Sequence, residues 1–434
     1  MKNCFFSSML LAALTVTQVF AQPEFSAELR LRPEYRNGYK QLPDSGSGPA
    51  VFMSQRTRLA CLFEKDAYKV FISIQDVRVW GDEQKYSSTG ITGDDASIDV
   101  KEAWLEWNFY KYFSLKAGRQ EFKYSDQRLL GARNWNQSGM SYDALLFSYK
   151  NNIRVDVGIS YNNDKEPVFL EGYNRDKIKT LDFLYLSKDL NDKIKLEGLY
   201  VLSGVQSPVE PRNTYVRHTM GGLAELDQDL LFLNGSAYYQ AGINKNGDKV
   251  SAWLLNGNIG MKSEPVELTA GFDIISGQDQ GSPDSSYIKK DHRFDNLYGA
   301  RHSYNGDMDY FSNLNTSTDG GGLIDLYVSG KYLVQKNFSV KIAYHYFRLQ
   351  SDIILADEPP EPTDPENRYL ASEIDLTMTC KLHQDIDLVA GYSFLKGSRT
   401  LHRIQDVSYP PDRNAQWGWI MLTVKPVFKR QATQ

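Results

Sequence analysis

Phe25-Ser26-Ala27-Glu28-Leu29-Arg30-Leu31-Arg32-Pro33-Glu34-Tyr35-Arg36 decides the reading of this chain. Phe25, Ala27, Leu29, Leu31 and Tyr35 alternate with Glu28, Arg30, Arg32, Glu34 and Arg36. Successive side chains of a β-strand point to opposite faces, so a period of two places all the apolar groups on one face and all the charges on the other. The stretch is a strand with a greasy wall and a fully ionised wall.

The same alternation recurs along the chain. Val51–Glu64 sets Met53, Thr57, Leu59, Cys61 and Phe63 against Ser54, Arg56 and Arg58. Ile153, Val155, Val157, Ile159 and Tyr161 oppose Arg154, Asp156, Gly158 and Ser160. Leu370, Ile374, Leu376 and Met378 oppose Glu373, Asp375, Thr377 and Thr379. About eighteen such stretches are counted, each near the 9 to 11 residues that span a bilayer. Their connections alternate short and long. The short set includes Glu64–Ala67, Phe109–Phe113, Lys150–Asn152, Lys262–Pro265 and Lys381–Asp385; the long set opens with Gly38–Ala50 and Gly81–Ala96, continues with Lys123–Ser141 and peaks at Ser276–Gly322. A soluble sandwich has no reason to keep all long connections on one parity. The pattern predicts an all-β protein, a transmembrane antiparallel up-and-down barrel with short periplasmic turns and long extracellular loops. In a barrel this wide the apolar face meets lipid and the polar face lines a water-filled lumen. Tyr and Phe near strand ends, such as Tyr110, Phe113, Tyr149, Tyr161, Tyr185 and Tyr332, are expected in aromatic girdles or cross-strand pairs.

Bulk properties agree. Of 434 residues, 41% are hydrophobic, and the mean hydropathy is -0.47. Beyond the N-terminus no apolar run approaches the roughly 20 residues of a spanning helix. Lys2, an apolar stretch from Cys4 to Leu14 and Val19-Phe20-Ala21 read as a secretory signal cleaved before Gln22, which leaves residues 22–434 as one barrel domain in the outer membrane of a Gram-negative cell. Removal of Lys2 leaves 48 basic against 54 acidic residues, so a net basic face for nucleic acid is not expected. Cys61 and Cys380 fall on the lipid side of well-separated strands and are expected as free thiols.

Arginine is concentrated in the first third. Arg30, Arg32, Arg56, Arg58, Arg78, Arg119, Arg128, Arg133 and Arg154, with Glu102 and Glu106, are the candidate lumen residues along a solute path. A guanidinium stays charged and grips carboxylates in a fork, so a patch of them would guide anionic solutes. The alternative is a lattice of ion pairs with Glu28, Glu34, Asp76, Asp99, Glu102 and Glu106 that braces the wall. Parity slips between Ile74 and Asp76, and again at Gly118, so a bulge is invoked to aim Arg78 and Arg119 inward. No metal-binding histidine pair, phosphate loop or nucleophile elbow occurs, and His345 with Ser339 is the one pairing from which an enzyme could be built. The loop 276–322 is rich in aspartate without EF-hand spacing and is expected to fold over the mouth. No cofactor is expected.

Glu28–Arg36, Arg56-Thr57-Arg58-Leu59, Gln75–Gly81, Gly118–Glu121 with Asp126–Gly131 and Arg133-Asn134-Trp135, and Leu297–His302 with Gly306–Phe311 together resemble the alginate export family of outer-membrane barrels. The resemblance implies an eighteen-stranded monomer whose arginine-lined pore passes an acidic polysaccharide outward, and it carries the pore role onto Arg30, Arg32, Arg56, Arg58, Arg78, Arg119, Arg128 and Arg133. The family's alginate exporter has an extended periplasmic turn, whereas every turn assigned here is short. An anion-passing channel for an oligosaccharide or small solute therefore stands first and an alginate exporter second, with a general porin or an adhesion barrel as alternatives.

Overall fold

A computed structural model describes residues 23–81, 98–169, 171–174, 176–207, 209–210, 212–355, 361–362, 367–408 and 414–428. The expected signal segment and most of the expected loop Gly81–Ala96 lie outside the described residues.

Eighteen long strands form one antiparallel sheet. They are β1 (Glu24–Asn37), β2 (Ala50–Lys65), β3 (Tyr68–Val79), β4 (Ile98–Tyr110), β5 (Phe113–Gln120), β6 (Tyr142–Lys150), β7 (Arg154–Tyr161), β8 (Thr180–Asn191), β9 (Ile194–Gln206), β10 (Thr214–Asp227), β11 (Leu231–Ile243), β12 (Lys249–Ser263), β13 (Val266–Ile275), β14 (Leu323–Gln335), β15 (Phe338–Arg348), β16 (Tyr369–His383), β17 (Ile386–Gly397) and β18 (Ala415–Val424). Each pairs with its sequence neighbours, and β1 also pairs with β18, Leu29 opposite Val424 and Tyr35 opposite Gly418, so the sheet closes. Val427–Phe428 extends that last ladder. Closure leaves no free edge among these strands, the condition for a sheet to sit in hydrocarbon.

Connections at one rim are turns of two or three residues; those at the other run from 244–248 to 276–322. The exposed large apolar side chains sit on the outer wall, among them Leu29, Leu59, Ile72, Phe147, Ile259, Val328 and Ile374. Trp107, Phe109, Phe113 and Phe147 cluster near the short-turn rim, and Phe113 meets Tyr149 at 4.9 Å. Cys61 and Cys380 are free, on that same outer parity.

The inner wall is not uniformly polar. Leu181, Phe183 and Tyr185 of β8, Leu199 and Val201 of β9 and Trp417 and Trp419 of β18 face inward and are buried. They are covered by two loops that turn into the barrel. One, 121–141, packs Phe122, Tyr124, Leu129 and Leu130 on the β6–β9 wall. The other, 276–322, packs Met308, Tyr310, Phe311 and Leu314 on Phe347 and Leu395. Leu370, read as lipid-facing, is wholly buried because the β15–β16 register shifts between Phe347 and Arg348 and skips it.

Candidate functional site

The site is assembled by backbone carbonyls. Arg30 and Arg56 stand directly opposite on β1 and β2, and Arg58 is opposite Glu28, which makes the expected cross-strand patch on the inner wall. Arg30 donates through Nη1 to the Asn134 carbonyl (2.7 Å) and through Nη2 to those of Trp135 and Asn136 (both 3.1 Å). Arg56 Nη1 reaches the carbonyls of Asn134 (3.2 Å) and Gln137 (3.2 Å), and its Nε donates to Glu28 Oε1 (2.6 Å). Arg32 holds the Trp135 carbonyl (2.9 Å) and covers the indole ring at 4.5 Å. Arg58 takes Asn134 Oδ1 (3.1 Å) and the Ser138 carbonyl (3.2 Å). These guanidiniums clamp the tip of the 121–141 loop against β1 and β2. Charge-assisted bonds to otherwise orphaned carbonyls keep a buried loop from being unstable.

The two inserted loops bind each other. Leu130 and Tyr298 form a parallel bridge, and Ala300 N donates to the Gln127 carbonyl (2.8 Å). Arg133 donates to the carbonyls of Gly299 (2.8 Å) and Leu297 (3.1 Å), and Arg301 shares the latter (3.2 Å). At Gly299 a Cβ would lie 2.0 Å from the Arg128 carbonyl, so only glycine permits this approach. Arg128 is buried, paired with Asp273 (2.8 Å) and Asp126 (3.2 Å) and set over the Tyr304 ring at 3.9 Å.

Trp135 and His302 mark where the loops cross the lumen, stacked at 4.0 Å with the Trp419 ring edge-on at 4.8 Å. His302 Nδ1 is 2.9 Å from Asp309 Oδ1, and Tyr39 donates its hydroxyl to Asp309 Oδ2 (2.5 Å). Burial alone would raise the Asp309 carboxyl, but the bonds from His302 and Tyr39 hold it below its ordinary value. His302 and Ser303 line two chambers. On the long-loop side lies one of about 500 Å³, lined by Lys40, Lys123, Arg133, Arg301 and a single carboxylate, Asp309. On the short-turn side lies one of about 520 Å³, rich in Asp and Glu.

The other candidates separate by wall. Glu102 is inside, where its Oε2 accepts from Trp104 Nε1 (3.2 Å) and Glu121 N (3.3 Å); Glu106 is inside opposite Lys116. Arg154 is inside, bonded to Asp156 (2.5 Å) between the Tyr124 and Tyr185 rings. Arg78 and Arg119 are corrections. The β2–β3 ladder carries no shift and pairs Gln55 with Arg78, so Arg78 is on the wall opposite to Arg56 and grips Asp76 (2.7 Å). The one bulge there is on β4 and re-aims Lys101 instead. Arg119 is opposite Ala103 and pairs outward with Asp143 (3.1 Å). Ser339 and His345 are six residues apart on β15, about 20 Å at ~3.3 Å per residue, and His345 Nδ1 is engaged by Asp325 (2.9 Å). Among the described residues no group of three or more His, Cys, Asp or Glu has metal-binding geometry.

Sequence reasoning did not single out Lys40, Lys123, Trp135, Arg301 or His302 as site residues. The available signal was the doubly apolar character of β8, where Leu184 and Leu186 already supply a lipid face and leave Leu181, Phe183 and Tyr185 needing a cover.

The fold is shared with solved outer-membrane channels. Acinetobacter baumannii OccAB1 superposes with a TM-score of 0.63 at 11% identity, covering 94% of this chain and 98% of its own. Pseudomonas aeruginosa OpdL gives 0.61 at 10% identity over 94% and 100%, and Pseudomonas aeruginosa OccK8 (OprE) 0.60 at 9% over 94% and 98%. No curated protein matches the sequence. These likenesses show the barrel alone, but the alginate export family model matches residues 22–414, nearly the whole length, and the chain belongs to that family of transport barrels, not to a family of catalysts.

Proposed function

We propose that the protein is a passive outer-membrane channel for small solutes bearing a carboxylate or similar anionic group, with its long loops outward and its short turns in the periplasm. The observation that carries this reading is the long-loop chamber, where Arg133 and Arg301 share the Leu297 carbonyl and neither makes an ion pair among the described residues. Lys123 and Lys40 stand beside them, paired with Glu121 (2.6 Å) and Asp309 (3.7 Å), so an entering anion meets two guanidiniums without a carboxylate partner, backed by two paired lysines. Low-dielectric walls focus such a field. The chambers have the size of ordinary small-molecule pockets, ~300–1,000 Å³. That favours an oligomer or monomer over a long acidic polysaccharide, although the family is named for alginate export. Arg30, Arg32, Arg56 and Arg58 support the path indirectly, since their donors hold the loop that narrows it.

Planar-bilayer recording under a KCl gradient tests this. The wild-type reversal potential is expected on the chloride side, and Arg133→Glu with Arg301→Glu moves it toward potassium. An unchanged potential in the double variant would overturn the reading, as would wild-type protein that carries no current.

A further inference from the structure

The short-turn chamber contains a buried carboxylate that no Lys or Arg meets among the described residues. Asp375 on β16 is 4% exposed, lines the chamber, and accepts from no Lys, Arg, hydroxyl or backbone N–H; the one side chain within hydrogen-bonding range is the wholly buried carboxyl of Glu373 on the same strand. Its nearest cationic atom is His345 Nε2 at 3.9 Å, and that ring is already bonded through Nδ1 to Asp325. Asp307, from the inserted loop, faces the same space and senses the Asp375 charge. A buried carboxylate with a second carboxyl beside it and no cation is costly, which marks a place where a cationic donor is missing.

The chamber also shows what kind of donor suits it. A few strands away the wall holds the Arg128 guanidinium by a two-point contact with Asp273 and a face-on contact with Tyr304. A planar cation between a carboxylate and a ring is thus already at home there. A metal ion fits poorly, since it needs several hard oxygens drawn close around one point, and no such group exists among the described residues.

We infer that Asp375 and Asp307 form a binding site for an organic cation, the ammonium or guanidinium group of a solute in transit. The site deepens the channel reading by giving the solute a second, oppositely charged group, and its binding test needs no conduction. Lys341 lines the same chamber and is the internal competitor for it.

Titration calorimetry of the purified barrel in detergent, with methylguanidinium and methylammonium chloride as probes and calcium chloride as comparison, tests the site. The wild type is expected to give saturable heat with at least one organic cation. Asp375→Asn should weaken binding roughly tenfold or more, as expected for loss of one charged partner, Asp375→Glu should keep it, and Lys341→Met should tighten it. Absence of saturable binding, equal binding by Asp375→Asn, or saturable binding of calcium alone would overturn the inference. Lys341→Met changes an exposed position, so if Asp375→Asn fails to fold the competition arm still decides: no gain in affinity counts against the site. Failure of the channel reading shows separately, as absence of current with binding intact.

Discussion

Arg56 illustrates how one side chain was half legible. The alternation in Val51–Glu64 correctly sends it to the inner wall, and the cross-strand partner Arg30 follows from β1 and β2 being neighbours. Its ion pair with Glu28 belongs to the bracing lattice the sequence offered, but its other acceptors were not readable, because they are main-chain oxygens of Asn134, Asn136 and Gln137, and a carbonyl has the same appearance at every residue. Arg56→Ala leaves the largely buried Glu28 with only the longer Lys425 contact (3.6 Å) and releases the loop tip. Loss of one partner of a buried pair costs on the order of 3 kcal/mol. The expected outcome is a lower thermal midpoint for loss of heat-modifiable mobility, together with higher and noisier single-channel current. A variant that shifted only ion selectivity, with conductance and noise unchanged, would place Arg56 on the solute path instead. Arg78 was misplaced for a different reason: an Asp–Arg pair two residues apart on one strand satisfies itself on the outer wall near the long-loop rim, without needing the lumen.

At the level of elements, the strands were legible because lipid contact enforces a strict period of two, and each two- or three-residue turn overlaps a short connection placed from the sequence, although the strand ends differ by up to five residues. The inserted loops were not, since a loop that folds inward contains the same Asn, Gly, Asp and aromatic residues as one that stays outside. The long loop 276–322 was expected to cover the mouth; the insertion of 121–141 was not foreseen. Trp135 is the pin between them, and Trp135→Ala should cost about 2 kcal/mol for a half-buried indole and raise conductance without altering the strand content seen by circular dichroism. The Tyr39–Asp309–His302 latch gives a pH test. Asp309 is held below its unfolded value, so its stabilisation is complete above about pH 4 and is lost as pH falls through the folded value. Current noise should stay flat from pH 7 to 5 and rise only in stronger acid, and Asp309→Asn should remove that rise.

For the whole molecule, cations gathered at one end of the lumen and carboxylates at the other make the pore an asymmetric electrostatic path. Ions of either sign then meet a different profile in each direction. Current–voltage curves for barrels inserted in one orientation should rectify at low salt and straighten near 1 M, where the Debye length shrinks to about 3 Å. Linear curves at low salt would mean that the two chambers compensate each other.

The ladder between β1 and β18 imposes an order on biogenesis. The strand that must meet Glu24–Asn37 is the eighteenth in order, so until it arrives one flank of the growing sheet has no companion. An unpaired strand of that length invites pairing with any other chain nearby. Five of its six charged groups, Glu28, Arg30, Arg32, Glu34 and Arg36, stand at every second position, and they make such premature zippering expensive until the cylinder can shut.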